Sequence, residues 1–312
     1  MSSCTICHSQ RIKIEHRMDS ILDIFRCPDC AHRNAKHHPA SQNASDYHLQ
    51  YEQKNFVDSL KQTRIRQANL IYENLRRMGG TVDRVIDVGA GRGWFLETLQ
   101  KRGVANLVGM ENSKIGLAVL EAMKIPGIET DASLKFPSGR VPFAPRIVCF
   151  LDILEHFHES IDSLLEPFME SFRDSLEFIV IKVPVSDGIL YRIAHGLVRL
   201  GWFRPLAQLY QVGTFPPHRQ YFSARSLQIL AHKNPFVTSY VLGDPDFEPD
   251  GFRQRFWSAP KAIREICRVC GGILYYAARF FGLYDSHIIF LDLRSTKTSG
   301  SEDLLQRSSR GV

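Results

Sequence analysis

The sequence contains no long apolar run. None of its 312 residues belong to an uninterrupted stretch able to span a bilayer, which argues against a helical integral membrane protein. An apolar leader is also missing. Cys4, Cys7 and charged side chains occupy the opening residues, so a secretory signal is not expected. There is no internal repeat. No arginine-rich tract interleaved with aromatics occurs either, and nucleic acid is therefore not an expected partner. The excess of cations is small: 39 Lys and Arg against 33 Asp and Glu give a net charge of +6. That balance suits an anionic substrate or an anionic membrane surface without requiring one.

What is present is ordinary globular material, 44% hydrophobic and 23% charged, long enough for one large domain and something small. Seven cysteines are present, and four form the pairs Cys4-x-x-Cys7 and Cys27-x-x-Cys30. This spacing reads as a four-thiolate zinc site, each pair a knuckle and the four sulfurs a tetrahedron. A closed site of this kind is structural. Two short strands are expected between the pairs, over 12–15 and 21–25. So small a module needs a metal staple to fold; the alternative is four unbound thiols. Thiolate ligands imply a reducing compartment, hence the cytoplasm. A further pair, Cys267 and Cys270, lies in a helix-like apolar stretch without a second pair nearby, and buried thiols are expected there.

The expected organisation is a zinc ribbon over 1–35 and a polar linker over 36–45. A catalytic domain follows over 46–294, with helical insertions near 188–217 and 243–285, and then a disordered tail over 295–312. Apolar periodicity predicts a helix over 56–78 and further helices over 93–102, 114–123 and 163–174. Short continuous apolar runs at 84–88, 106–110, 147–151 and 178–183 read as buried parallel strands, with later strands at 237–242 and 287–293. Alternating strands and helices imply an open, mostly parallel α/β sheet with helices on both faces and an antiparallel edge.

The strongest local signal is the run from Arg84 through Asp87, Gly89, Ala90, Gly91 and Gly93 into a helix. Glycines after a strand let the backbone turn sharply and approach a ligand, and the next helix offers free N–H groups. The spacing is G-x-G-x-G, not the G-x-G-x-x-G of a dinucleotide site. A carboxylate at Asp87 would repel a pyrophosphate and suit a cationic amino-acid end.

This run resembles the first motif of class I methyltransferases that use S-adenosylmethionine (SAM). Further matches follow in order. Glu111 ends the second strand, where the resemblance implies binding of the ribose hydroxyls. Ile128 to Ala132 is similar to the adenine-binding segment, which brings in Asp131 and Ala132. Asp152-Ile153-Leu154-Glu155-His156 is similar to the D-x-L-E-H run of a branch that includes ubiquinone-pathway O-methyltransferases and sugar- or lipid-pathway relatives. His218, Tyr221, Phe222, Ser223, Ser226 and Leu227 match that branch's H-x-x-Y-F-S-x-x-S-L segment. Some sugar C-methyltransferases also carry an N-terminal zinc module. The resemblance implies a Rossmann-like sheet, SAM as cofactor with Asp152 among its contacts, and a small-molecule, sugar or lipid-linked acceptor.

For a hydroxyl acceptor a proton must leave. His156 is the first candidate base and His218 the second, because an unperturbed imidazole titrates near neutrality. Asp152 and Glu155 would orient either one, or simply cap a helix. Asp152, Glu155, His156 and His158 could alternatively gather a divalent ion. The residues also leave open a dinucleotide-dependent sugar-modifying enzyme, and a zinc-ribbon binding protein whose catalytic domain is silent.

The segments 188–217 and 260–283 read as basic amphipathic helices, with Arg192, Arg199 and Arg204 in the first and Lys261, Arg264, Arg268 and Arg279 in the second. Such helices pack on the domain, cover a substrate as a lid, or rest on an anionic membrane. Tyr47 and Tyr51 could close over a ligand or pack in the core.

Overall fold

The computed structural model describes residues 3–18, 21–38, 54–131, 134, 139–157, 159–233, 238–246, 249 and 261–294. Tyr47, Tyr51, Ala132, Val237, His158, most of the expected linker and the expected tail lie outside the described residues.

The chain opens with a small antiparallel sheet. Strand β1 (Lys13–Met18) pairs with β2 (Leu22–Arg26), which pairs with β3 (Arg33–His37). The third strand was not expected and takes in Lys36 and His37, where the sequence reading places the linker. Its polar letters, Arg-Asn-Ala-Lys-His, give no alternating apolar signal, yet Asn34 and Ala35 are buried. The reason is tertiary. A two-residue strand far along the chain, Gln220–Tyr221, adds to the open edge of β3.

The main domain follows with α1 (Lys54–Arg77), β4 (Arg84–Val88), α2 (Trp94–Lys101), β5 (Asn106–Glu111), α3 (Lys114–Ala122), β6 (Gly127–Glu129) and β7 (Ile147–Leu151). Beyond it come α4 (Asp162–Ser171), β8 (Phe178–Pro184), α5 (Ile189–Val198), α6 (Arg204–Leu209), β9 (Gln220–Tyr221), α7 (Ala224–His232), β10 (Thr238–Asp244), α8 (Lys261–Phe281) and β11 (Ser286–Asp292). The first insertion is thus two helices with a bend between them.

Seven strands form one sheet in the order β10-β11-β8-β7-β4-β5-β6. Neighbours from β8 to β6 are parallel, while β11 runs antiparallel between β8 and β10. This is the expected α/β sheet with an antiparallel edge. Strand β7 and, apart from Lys182, β8 are apolar without alternation because both of their faces are covered. Burying each large aliphatic side chain there contributes about 1.5–3 kcal/mol. Ala68, Ile71 and Leu75 of α1 and Leu96 and Leu99 of α2 cover one face; Leu164 and Phe168 of α4 and Leu227 and Leu230 of α7 cover the other.

The chain leaves β4 towards β5 and β6 on one side and returns to β7 and β8 on the other. Beyond the carboxyl ends of β4 and β7 the strand order reverses, and a crevice opens there. The small N-terminal sheet packs beside this crevice. Met18, Leu22, Ile24 and Ala35 share a core with Tyr191, Ala194, Leu206, Tyr210 and Tyr221. Arg33 clamps the contact: its guanidinium donates to both carboxylate oxygens of Glu15 at 2.7 and 2.9 Å, to Ser186 Oγ at 2.8 Å, and lies 5.2 Å from the centre of the Tyr191 ring.

Candidate functional site

A cavity of about 1120 Å³ occupies the crevice. At its floor the turn after β4 places three glycines in the left-handed region, with φ of 73° at Gly89, 54° at Gly91 and 65° at Gly93. Side chains are strained in that conformation. At Gly89 space is also missing, since an added Cβ would lie 2.1 Å from Ile153 Cδ1. Gly93 then stands at the start of α2.

Glu111, at the end of β5, accepts from the backbone N–H of Gly91 at 2.6 Å, Asn112 at 2.9 Å and Ser113 at 2.8 Å. One carboxylate therefore ties the glycine turn to the start of α3. Three of its four lone-pair sites are thereby used, and the one left on Oε2 can accept a hydroxyl. Asp87 is buried, and its Oδ1 has no hydrogen-bond partner among the described residues. Burial first, and the charge of Glu111 second, push its carboxyl well above the usual carboxylate range, against the pull of Arg64. A buried acceptor at a cavity floor suits a donor or cation.

Asp87, Gly89, Ala90, Gly91, Glu111 and Asp152 all line the cavity. Gly93 is not among the lining residues, and a Cβ added there would lie 3.2 Å from both Leu120 Cδ2 and Met123 Sδ. Asp131 is exposed and is not among the lining residues.

The carboxyl end of β7 supplies the opposite wall. Asp152 adopts φ of 56°, an uncommon state for a non-glycine residue. Its backbone N–H donates to Lys182 O at 3.0 Å and its carboxylate accepts from Lys182 Nζ at 2.6 Å. Arg64 from α1 pairs with the same carboxylate. Lys182 also donates to Asp246 Oδ1 at 2.7 Å. Burial works to lower the Lys182 pKa, but Asp152 and Asp246 together hold it above its ordinary value. Lys182, Arg64 and Asp246 all line the cavity, and the sequence reading missed them. Lys182 had a signal, a lone cation inside an otherwise apolar strand; Asp246 had none.

A short 3₁₀ turn, Leu154–His156, carries the next pair. His156 Nδ1 donates to Pro217 O at 2.9 Å. The proton is thereby fixed on Nδ1, and Nε2 is left as the basic nitrogen. Burial lowers the His156 pKa. The His218 ring lies 5.0 Å away, edge-on, and its Nε2 is 3.9 Å from Glu155 Oε1. Burial, followed by the neighbouring His156, drives His218 well below its ordinary value, and burial drives Glu155 well above its own. The structure therefore gathers Asp152, Glu155, His156 and His218 along one wall. The arrangement suits a neutral imidazole that accepts a proton. None of these residues caps α4, which starts after Ile161 without a side-chain cap.

The four cysteines of the N-terminal sheet converge. Cys4 Sγ lies 3.5 Å from Cys30 Sγ, Cys7 Sγ lies 3.5 Å from Cys27 Sγ, and all four sulfurs fall within 4.8 Å of one another. A zinc ion with Zn–S bonds of about 2.3 Å sets sulfurs roughly 3.8 Å apart, so the donor set and its size fit that ion. The cluster is built into the body, since Ser223 Oγ donates to Cys30 O at 2.7 Å. Cys267 and Cys270 behave differently from expectation. Cys270 is exposed and Cys267 only half-buried, because the helix that carries them buries its glycine and alanine side instead.

A family model described as a methyltransferase domain matches residues 61–238, more than half of the chain. No curated protein matches. Among solved structures, the chain resembles a SAM-dependent methyltransferase from Archaeoglobus fulgidus at 18% identity and a TM-score of 0.42, covering 72% of this chain and 94% of that one. It also resembles the plantazolicin methyltransferase BpumL in complex with S-adenosylhomocysteine (SAH), at 17% identity and a TM-score of 0.45, covering 78% and 87%. The methyltransferase domain of bacterial CtHen1-C is similar at 12% identity and a TM-score of 0.44, covering 74% and 98%.

Proposed function

The chain belongs to the methyltransferase-domain family, and from that membership we propose that it transfers a methyl group from SAM to a small-molecule, sugar or lipid-linked acceptor. The observation that carries this reading is the cavity floor. Asp87 offers an orphaned buried acceptor, the glycines leave room for close approach, and Glu111 is fixed at the turn. These groups fit the amino-acid end and the ribose of SAM. Gly89, Ala90, Gly91 and Gly93 would form the turn beneath it, with Asp152 facing it from β7. Asp131 and Ala132 remain assigned to the adenine by the motif series alone.

SAM, when bound, supplies an electrophilic methyl group. The chain's own residues then hold the acceptor in line and take its proton. Positioning of this kind contributes roughly 7–11 kcal/mol. We assign His156 as the base through Nε2, with His218 second. Asp152 and Glu155 are positioning residues, the former locked by Lys182 and Arg64. Cys4, Cys7, Cys27 and Cys30 would hold one structural zinc, and the ribbon so formed would shape the mouth of the cavity. Four thiolate ligands suit a reducing compartment and support a cytoplasmic location.

Thermal unfolding with added nucleosides tests the cofactor. A ligand that binds only the folded state raises the midpoint. SAM and SAH are expected to raise it and NAD to leave it unchanged; stabilisation by NAD alone would refute the reading.

A further inference from the structure

Helix α8 turns its apolar face away from the protein. Gly271 and Ala278 are its buried residues, and half-buried Arg264, Cys267, Leu274 and Tyr275 share their side at helical spacing. The opposite arc holds Ile263, Ile266, Val269, Ile273, Phe280 and Phe281. Ile273 is 65% exposed and Phe280 83%. A helix that serves only the fold places its apolar stripe against the core. Here the pattern is inverted, and a contiguous exposed apolar surface marks a contact with something else.

Charge identifies the partner. Lys261, Arg268 and Arg279 follow one border of the apolar arc, between it and the body of the protein. The helix has a single acid, Glu265, bonded to Arg268 at 2.9 Å. The neighbouring insertion repeats the combination. Residues 188–243 contain no Asp or Glu. Arg199 and Arg204 are exposed there beside Leu200 and Trp202 at the α5–α6 bend. The two segments spring from one corner, where Ile189 N–H donates to Leu283 O at 3.1 Å and Leu190 N–H to Asp285 Oδ1 at 2.8 Å. No helix among the described residues is long and apolar enough to cross a membrane.

We propose that α8 lies in the plane of an anionic phospholipid surface, its Ile266, Ile273 and Phe280 side in the acyl boundary and its basic border in the headgroups. An apolar face with cations along its edge matches that interface from both sides. A second copy of this chain fits less well, because pairing through this face would bring the basic borders together with only Glu265 to offset them. The inference does not depend on the reaction assigned to the cavity.

The test is flotation of the full chain with vesicles of phosphatidylcholine alone and of phosphatidylcholine mixed with phosphatidylglycerol. Binding to the mixed vesicles is expected to be stronger by about tenfold or more and to weaken with salt. The combined variant Ile266→Asp, Ile273→Asp, Phe280→Asp should lose about tenfold or more of that binding while melting like the wild type, because these side chains are exposed. If that variant melts early, Arg268→Glu with Arg279→Glu carries the test through loss of the preference for the anionic vesicles. Wild-type protein that ignores both vesicles, or variants that bind as it does, would overturn the proposal. So would a dimer in sedimentation that the apolar variant dissociates, with no vesicle binding by the wild type.

Discussion

Lys182 Nζ stands 2.6 Å from Asp152 Oδ1 and 2.7 Å from Asp246 Oδ1, on a side chain only 1% exposed. One ammonium thus joins the end of β7 to the loop after β10 across the cavity wall. Removing it leaves the carboxylates of Asp152 and Asp246 without the ammonium that joins them, beside Arg64. Lys182→Met is expected to lower stability by about 3–5 kcal/mol, the range for breaking one side of a buried ion pair. Urea unfolding measures this. A loss below about 1 kcal/mol would show that the network contributes little.

His156 is expected to act in turnover and not in cofactor binding. His156→Ala should reduce kcat/KM by about 10²–10⁴-fold, the usual range for a lost general base, with SAH affinity unchanged. The same substitution should remove the acidic limb of the pH–rate profile. An unchanged profile would transfer the role to His218 or to no imidazole at all.

Much of this architecture could be read from the chain because it rests on local physics. The glycine turn, the buried apolar strands and the two cysteine pairs each show their constraint within a few residues. What could not be read depends on partners distant in sequence. β3 is a strand because Gln220 and Tyr221 pair with its edge, and nothing in Arg33–His37 announces that. Asp246 matters because Lys182 and Gln67, both distant in sequence, reach it. The segment 260–283 was rightly read as an amphipathic helix, but periodicity cannot say which side meets the protein, and so Cys270 was expected inside and is found outside.

The thiol cluster should hold metal. Elemental analysis is expected to give about one zinc per chain, lost in Cys27→Ser. Because Cys4, Ile6, Cys27 and Cys30 pack into the same core as Phe222 and Leu227, chelation should also lower the melting point of the whole protein. Protein purified without zinc and unaffected by chelator would contradict the assignment.

Acid should destabilise the fold through its buried imidazoles. His156 and His218 titrate below an unfolded histidine because burial disfavours their cations. Below about pH 6.5 the unfolded chain takes up these protons first. Stability therefore falls as pH drops from 6.5 towards the folded values, and above neutrality the two rings contribute no slope. The raised carboxyl of Glu155 acts in the opposite sense, so the comparison must be between wild type and His218→Gln. The variant is expected to lose less stability between neutral and mildly acidic buffer; equal slopes would show that His218 is not buried neutral.

Calorimetric titration of the wild type and of Glu111→Ala with SAM, SAH and NAD addresses the cofactor site itself. Glu111 ties the glycine turn to the start of α3 through three backbone donors, so its loss should weaken binding of SAM and SAH by about ten- to a hundredfold, the worth of a charge-assisted hydrogen bond. NAD should give no heat with either protein. Binding of NAD in place of SAM, or equal SAM affinity in the two proteins, would contradict the account.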